Sequence, residues 1–339
     1  MKRKEKKMIK KVVAMISMVA ILGTSAMAIS LNGAGATFPY PIYSKWMSEY
    51  KKSTGTEINY ASIGSGGGIR QFTAGVVDFG GTDAFMTDAE MKKIDGIVLH
   101  IPTVMGAVAV IYNNGVEGLK LDGGTLAAIF MGDIKKWNDP KIEAINPGKD
   151  LPNTDILVVH RSDASGTSSI FTGYLAKVSS KWAASVGADK AVAWPVGVGA
   201  KGNEGVAGSV KNNKNSIGYA ELAYAEKNNI ESALIKNKSG KYVKPSVAGV
   251  TAAADKGISK IPADFRGDIL NLPGDKSYPI SGLTWIVVKQ NTGGEKAQTL
   301  KDFLSWSLDK GQDYASELFY SPLPKSLIAK IEKSIGSIK

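Results

Sequence analysis

The segment Arg161 to Thr167 reads R-S-D-A-S-G-T and joins a permanently charged guanidinium to a Ser-Gly-Thr turn. It follows the apolar run Ile156 to Val159 and precedes a helical pattern from Ser168 to Ala176. A strand would therefore deliver the arginine and the turn to the N-terminal end of a helix. Backbone N–H groups lack partners at such an end, and the helix dipole is positive there. We expect this segment to bind a small oxyanion.

Three earlier segments combine small residues with one polar side chain each. Thr37 lies in G-A-G-A-T-F-P, which we interpret as a small-residue loop entering a helix. Ser65 lies in I-G-S-G-G-G, where a strand pattern gives way to a helical one, and free N–H groups there suit an anion. Asp83 ends V-D-F-G-G-T-D, where a strand would present it to a cleft. Each segment alone is also compatible with an ordinary turn or, for Asp83, with a helix N-cap.

In this order the four motifs resemble the periplasmic phosphate-binding proteins of high-affinity phosphate ABC transporters. The resemblance extends to I-K-K-W at 134–137, W-P-V-G at 194–197, K-G-N at 201–203 and I-G-Y at 217–219, and so covers essentially the whole chain after the signal-like N-terminus. It implies an α/β, two-lobed type II binding protein that closes about a hinge. It also implies inorganic phosphate as ligand, a membrane permease with ATPase subunits as partner, a monomeric state, and no cofactor.

The phosphate ligands implied by the resemblance come from both halves of the chain. They are Thr37, Phe38 through its backbone N–H, Ser65, Asp83, Arg161, Ser165, Gly166 and Thr167. The sequence departs from the family pattern at Gly66, where a serine is commoner, and at His160, which precedes the arginine. Strand alternation predicts that His160 points away from Arg161, so we expect it to have a packing role.

The residue types also suit phosphate on chemical grounds. The planar guanidinium of Arg161 can donate to two phosphate oxygens at once. Asp163 is placed to orient this guanidinium fork or to neutralise part of its charge. Asp83 would supply selectivity, because a carboxylate accepts a hydrogen bond from a protonated phosphate oxygen whereas sulfate has no proton to give. A site built around such a bond can reject the analogue by about 10⁴-fold or more. Arsenate shares the protonation pattern of phosphate, so we expect weaker exclusion of arsenate.

The first 28 residues are typical of a cleavable secretory signal. Seven Lys and Arg precede an apolar stretch at Val12 to Leu22, and Ala26-Met27-Ala28 matches a small-x-small cleavage pattern. The alternative, a membrane anchor, needs about twenty apolar residues, which this stretch does not reach. We therefore expect a mature chain that starts near Ile29 and works in the periplasm. The chain has no cysteine, which excludes disulfides, thiolate metal sites and a lipid anchor at the cleavage site.

The formal net charge of +11 overstates how basic the working protein is. Seven of the 42 Lys and Arg and one of the 31 acidic residues precede Ile29, so the remaining chain carries +5. Arginine is scarce, the lysines are scattered, and no basic surface with interleaved aromatic residues emerges. These features argue against nucleic-acid binding, while a mildly basic balance can still draw anions toward a cleft.

About 300 residues after the signal exceed one ordinary core and predict two lobes. Alternating helix-like and strand-like runs favour an α/β fold with mostly parallel sheets. The predicted strands are Glu57–Ile63, Val76–Gly80, Ile97–Tyr112, Ile156–His160 and Ser216–Ala220, and the predicted helices include Pro41–Lys52, Gly67–Ala74 and the apolar face formed by Leu300, Phe303, Leu304 and Leu308.

We expect a discontinuous first lobe, at 29–110 and 281–339, and a second lobe at 111–280. No Pro/Ser-rich linker separates them. Two extended runs, Ala107 to Tyr112 and Gly282 to Val288, are the predicted crossovers between the lobes.

Other function classes find weaker support. The segment Gly197 to Gly202 matches the G-x-G-x-x-G pattern of dinucleotide-binding folds, with Glu221 about twenty residues on, but Pro195 lies where the preceding strand should be. A secreted phosphate-ester hydrolase would need a nucleophile with a base, or a metal cluster. The chain has only His100 and His160 and lacks a G-x-S-x-G motif, a P-loop lysine and a clear metal cluster. A binding protein for arsenate, sulfate or molybdate is the remaining alternative.

Overall fold

The computed structural model describes residues 29–339. The predicted signal segment, 1–28, lies outside the described residues. Twelve strands run in the order β1 Ser30–Gly35, β2 Glu57–Ser62, β3 Phe79–Thr82, β4 Val98–Asn113, β5 Lys120–Leu121, β6 Leu157–Arg161, β7 Val198–Ala200, β8 Ser216–Glu221, β9 Glu231–Ser232, β10 Leu234–Lys236, β11 Tyr242–Val243 and β12 Ser281–Lys289.

The helices alternate with these strands. They are α1 Tyr40–Thr54, α2 Ser65–Thr73, α3 Asp88–Met91, α4 Gly123–Met131, α5 Pro140–Ile145, α6 Gly166–Val178, α7 Ser180–Ser185, α8 Gly202–Asn212, α9 Leu222–Lys227, α10 Val247–Gly257, α11 Gly294–Leu308 and α12 Lys325–Gly336. Over residues 29–339, no helix is both long enough and apolar enough to cross a membrane.

The main sheet has nine strands in the order β2-β1-β3-β12-β4-β8-β6-β7, with β9 paired to β4 off this path. At one end β1 runs parallel to β2 and β3, and at the other end β6 runs parallel to β7 and β8. The strands between these ends, β12 and β4, pair in antiparallel fashion. The mixed α/β class expected from the sequence is therefore confirmed.

Strand β4 belongs to both halves of the sheet. Its first part, Val98 to Ala107, pairs with β12, and its second part, Val108 to Asn113, pairs with β8. The Val108 N–H donates to the Ile280 carbonyl at 2.8 Å. The residue just before β12 therefore lies beside the position where β4 exchanges one neighbour for the other. The pairing thus changes partner between residues 107 and 108 and between residues 280 and 281.

The predicted second crossover, Gly282 to Val288, is wrong in position. Those residues lie inside β12, where they pair with β3 on one side and the first part of β4 on the other. An extended apolar run looks the same whether it joins two lobes or fills one sheet, so the pattern alone could not distinguish them. The lobe boundaries at 110/111 and 280/281 stay predictions.

Strand β1 lies where the glycines and small residues of the sequence predict a loop. It forms a strand because it pairs on both sides, which satisfies its backbone groups. Gly33 is needed there, since a Cβ at this position would overlap the ring of Phe79. The neighbouring strand β3 also begins later than predicted, at Phe79 instead of Val76, because the chain first turns through Gly75, whose φ is 69°.

Most predicted helices are confirmed, with small shifts in their ends. Helix α1 follows Pro39, carries Pro41 in its first turn and ends at Thr54, before the left-handed C-cap Gly55 at φ 75°. One face of the helix is buried, and Trp46 on that face donates its indole N–H to the Gly311 carbonyl at 2.7 Å. Helix α11 buries Leu300, Phe303, Leu304 and Leu308, as its apolar spacing predicts.

Candidate functional site

Arg161 ends β6 and is almost entirely buried, at 3% exposure. Its Nε donates to Asp163 Oδ1 at 2.8 Å and its Nη2 to Asp163 Oδ2 at 2.6 Å, a bidentate pair. Partial burial raises the pKa of the Asp163 carboxyl, but the bonds and charge of Arg161 outweigh it and leave that pKa below its usual value. Gly202 N–H also donates to Asp163 at 3.1 Å. The guanidinium is therefore held in one orientation, with Nη1 facing Thr167 Oγ1 at 3.5 Å.

The Ser-Gly-Thr turn opens α6, as the sequence predicts. Ser165 is the N-cap residue, in extended conformation, and its hydroxyl accepts from Ser168 N–H at 3.1 Å. Ser165 and Thr167 are fully buried. Helix α6 thus begins beside the Arg161 side chain and directs its positive end into the interior.

Asp83 follows β3 directly and is 4% exposed. Its Oδ1 accepts from Thr284 Oγ1 at 2.8 Å, and its N–H donates to Ser65 Oγ at 3.2 Å. Burial raises the pKa of Asp83 to about 7, against the opposing effects of the Thr284 hydrogen bond, the Arg161 charge and the Ser65 hydroxyl. The pKa of Asp83 therefore lies near neutrality because the carboxyl is removed from water.

The two halves of the predicted site meet directly. Gly166 N–H donates to Ser65 Oγ at 3.1 Å, and Gly66 N–H donates to the Ala164 carbonyl at 2.9 Å. A Cβ on Gly166 would lie 2.5 Å from Ser65 Oγ and 2.6 Å from Asp83 Oδ2. Only glycine fits this position while the lobes are in contact.

Thr37 and Phe38 complete the arrangement from the end of the loop after β1. Thr37 is 2% exposed and Phe38 is fully buried. The Thr37 carbonyl accepts from the Tyr224 hydroxyl at 2.6 Å, and the Phe38 carbonyl accepts from the Tyr320 hydroxyl at 2.6 Å. All of the predicted ligands from Thr37 to Thr167 are buried, although they come from segments far apart in sequence.

The site is rich in hydrogen-bond donors. Within residues 29–339, the backbone N–H groups of Phe38, Ser65 and Thr167 have no protein acceptor. The hydroxyls of Thr37, Ser165 and Thr167 accept bonds from N–H groups, and none of them donates to an acceptor in the described part of the chain. Buried polar groups ordinarily find partners. This concentration of unused hydrogens suits an anion rich in acceptor oxygens.

Two ion pairs outside the site also join segments that are far apart in sequence. Lys190 Nζ lies 3.2 Å from Glu90 Oε1, and Arg266 Nη1 lies 2.6 Å from Asp88 Oδ1. Both acidic residues belong to α3, so two segments far apart in sequence contact this short helix.

Sequence reasoning missed the role of Asn203. It was noted only as part of K-G-N, and an asparagine at the start of a helix ordinarily indicates a cap. In the structure it is fully buried and its Nδ2 donates to Thr37 Oγ1 at 2.7 Å and to Thr167 Oγ1 at 3.0 Å. No local signal distinguishes this residue, because its partners lie 166 and 36 positions away.

His160 takes the packing role expected from the sequence. The His160 ring stacks on Trp194, with centroids 4.9 Å apart and an interplanar angle of 11°. Three residues inside the G-x-G-x-x-G match form the short strand β7, and the last glycine opens α8. In the described residues, no group of three or more His, Cys, Asp or Glu could hold a metal ion.

The sequence matches the family model of the PBP superfamily domain over residues 23–310. Phosphate-binding protein PstS of Haemophilus influenzae is 43% identical over 320 residues, which cover 93% of this chain and 95% of that protein. Phosphate-binding protein PstS of Methanocaldococcus jannaschii is 40% identical over 309 residues, covering 84% and 79%.

The chain belongs to the PstS family of the PBP superfamily.

Solved structures agree in fold. The periplasmic phosphate-binding protein PfluDING, determined with bound phosphate, has a TM-score of 0.70 at 22% identity and covers 90% of this chain and 94% of that one. A phosphate-binding protein from Stenotrophomonas maltophilia has a TM-score of 0.68 at 20% identity, with the same coverage.

Substituting Gly166→Ala tests the close contact between the lobes. The added Cβ would overlap Ser65 and Asp83, and overpacking of this kind costs about 1–3 kcal/mol. With phosphate, the ligand named for the PstS relatives, as probe, we expect an affinity about 5- to 150-fold weaker. X-ray scattering should also show a larger radius of gyration at equal phosphate.

Gly208→Ala is the matched control, because a Cβ there meets nothing within 4 Å. A Gly166→Ala variant that binds phosphate and closes like the Gly208→Ala variant would contradict the described packing.

Proposed function

We propose that this protein binds inorganic phosphate outside the cytoplasm by closing two lobes, and that it delivers phosphate to the permease of an ABC-type importer driven by ATPase subunits. The observation that carries the proposal is the convergence of Arg161 and Asp83 in one buried site of a PstS-family chain. The N-terminal segment 1–28 serves as a cleavable secretory signal, the working compartment is the periplasm, and the protein acts as a monomer.

The proposed ligands are those expected from the sequence. They are Thr37, the Phe38 N–H, Ser65, Asp83, Arg161, Ser165, Gly166 and Thr167, with Asp163 holding Arg161. Arg161 contributes a positive charge, the start of α6 contributes its dipole, and the unused hydroxyl and N–H hydrogens provide donors to several phosphate oxygens. The lobes that carry these groups are 29–110 with 281–339, and 111–280.

Asp83 is the one acceptor in this set of donors, and its raised pKa refines its role. Burial brings the pKa of Asp83 to about 7, so a single proton is readily shared between this carboxyl and a phosphate oxygen near neutral pH. Either partner can carry the proton and still make the bond. Sulfate contributes no proton, so an ionised Asp83 meets it acceptor to acceptor, and a buried charge stays unpaired.

We infer that the site binds and does not catalyse. The site hydroxyls already accept from N–H groups, and neither histidine is placed to act as their base. His100 Nε2 accepts from Met86 N–H at 3.0 Å, and burial lowers the pKa of His100 to about 4. His160 is stacked on Trp194. Turnover of a generic phosphate ester with a divalent metal would contradict this inference, and phosphate binding without turnover would support it.

Asp83→Asn tests how the site selects its ligand. The amide can donate a hydrogen bond, so sulfate no longer faces an unpaired charge. We expect the preference for phosphate over sulfate, about 10⁴-fold or more in a site of this kind, to fall by at least tenfold. Isothermal calorimetry with both anions measures it.

Arg161→Ala is the comparison variant. It should weaken the binding of both phosphate and sulfate by about 2–5 kcal/mol and leave the ratio of their affinities unchanged. An unchanged phosphate to sulfate ratio in Asp83→Asn would refute the proposed role of Asp83.

The raised pKa of Asp83 also predicts a pH dependence of sulfate binding. Because this pKa is about 7, Asp83 in the closed protein is ionised above pH 7 and protonated below it. A protonated Asp83 donates to sulfate, so we expect sulfate affinity to rise as pH falls from 8 to 5.5, by at most about tenfold per pH unit.

Asp83→Asn should remove this pH dependence, because its side chain does not titrate. Sulfate affinity that is flat with pH in the unmodified protein, or equally pH-dependent in the variant, would count against the assignment.

A further inference from the structure

Asn203 makes four hydrogen bonds that involve both lobes. Its backbone N–H and its Nδ2 both donate to Thr37 Oγ1, at 3.1 Å and 2.7 Å, and Nδ2 also donates to Thr167 Oγ1 at 3.0 Å. Its Oδ1 accepts from Glu221 N–H at 2.8 Å. The side chain is fully buried in the first turn of α8.

The Glu221 N–H determines which way the Asn203 amide is turned. A backbone N–H can only donate, so the atom facing it must be the amide oxygen, and the NH₂ group must face the two threonines. The amide nitrogen is a donor without acceptor capacity, so both threonine oxygens must act as acceptors toward Asn203. Each threonine hydroxyl then keeps its own hydrogen for a different partner.

Thr37 shows the consequence most clearly. Its Oγ1 already accepts two bonds from Asn203, which uses both lone pairs. Thr167 Oγ1 accepts from Asn203 and lies 3.5 Å from Arg161 Nη1, so donors face this oxygen as well. Each hydroxyl hydrogen must therefore point away from these donors, and neither has a protein acceptor among residues 29–339.

We propose that Asn203 is a positioning residue that directs the hydroxyl hydrogens of Thr37 and Thr167, one from each lobe, onto the bound oxyanion. The inference rests on the proposed function and adds a residue to it. Asn203 orients the two hydroxyl donors before the anion binds, so the hydroxyls do not have to reorganise when the lobes close on it. The same bonds couple Thr37 of the first lobe to α8 of the second.

Asn146 provides a matched control within the same chain. It is also a buried asparagine, its Nδ2 donates to the carbonyls of Lys120 and Ile142, and its Oδ1 accepts from Lys120 N–H. Its partners are all backbone groups outside the site. Asn146→Leu thus removes an equivalent buried amide without touching the threonine hydroxyls.

The test is a double-mutant cycle on phosphate affinity, measured by calorimetry with Asn203→Leu, Thr37→Val and Thr167→Val, singly and in pairs. We expect Asn203→Leu to weaken phosphate binding by at least tenfold. Each valine substitution should then reduce phosphate affinity by a several-fold smaller factor in the Asn203→Leu background than in the unmodified protein, because the hydroxyl that it removes is no longer oriented. Asn146→Leu should lower the urea midpoint of unfolding, leave phosphate affinity within twofold, and combine additively with Thr37→Val.

Additive effects of Asn203→Leu with both valine variants would overturn the inference, because they would mean that Asn203 acts only through general stability. Should Asn203→Leu not fold, Asn203→Ala is used in the same cycle with the same two outcomes. Failure of the unmodified protein to bind phosphate would instead overturn the proposed function. The two failures are therefore distinguishable.

Discussion

The burial of the Arg161 charge is the constraint on which the site depends. A guanidinium removed from water must be paired and hydrogen-bonded, or it destabilises the fold. Asp163 binds it through both carboxylate oxygens and is itself held by Gly202 N–H. Through this pair the end of β6 is linked to the start of α8, and the backbone N–H of Arg161 donates to the Tyr219 hydroxyl at 3.2 Å. The buried cation and its carboxylate partner thus connect the end of β6 with the first residue of α8.

The second constraint is the strong bias toward donors around that cation. Hydroxyl groups can donate or accept hydrogen bonds, so the composition of a site built from serines and threonines does not say whether the site offers donors or acceptors. Here the hydroxyl oxygens of Thr37, Ser165 and Thr167 already accept hydrogen bonds from N–H groups. Their hydroxyl hydrogens are therefore the groups that can bind a ligand, as donors. Asp83 is the exception, and burial brings its pKa to about 7, where it can share a proton. A surface of donors with one proton-sharing acceptor distinguishes a protonated oxyanion from a fully ionised one.

Agreement between sequence and structure is best where the information is local. The apolar spacing of α11 and the prolines at the start of α1 predict those helices, because periodicity and helix-start preferences act within a few residues. The glycine-rich strand β1 was interpreted as a loop, since its stability comes from pairing with β2 and β3 and not from its own residue types. The second crossover was misplaced for a similar reason, because β12 and a connecting run have the same apolar pattern.

The residue types and their order along the chain are enough to predict which groups the site contains: a charged fork, hydroxyls at helix starts and one carboxylate after a strand. They also carry the resemblance to a family. How those groups act on one another follows only from the folded arrangement. The closeness of Gly166 to Ser65 and Asp83, the pKa of Asp83 and the two threonine partners of Asn203 all depend on contacts between distant segments. Burial and hydrogen-bond direction are properties of the packed molecule, because they depend on which distant groups exclude water from a side chain and which donors reach it.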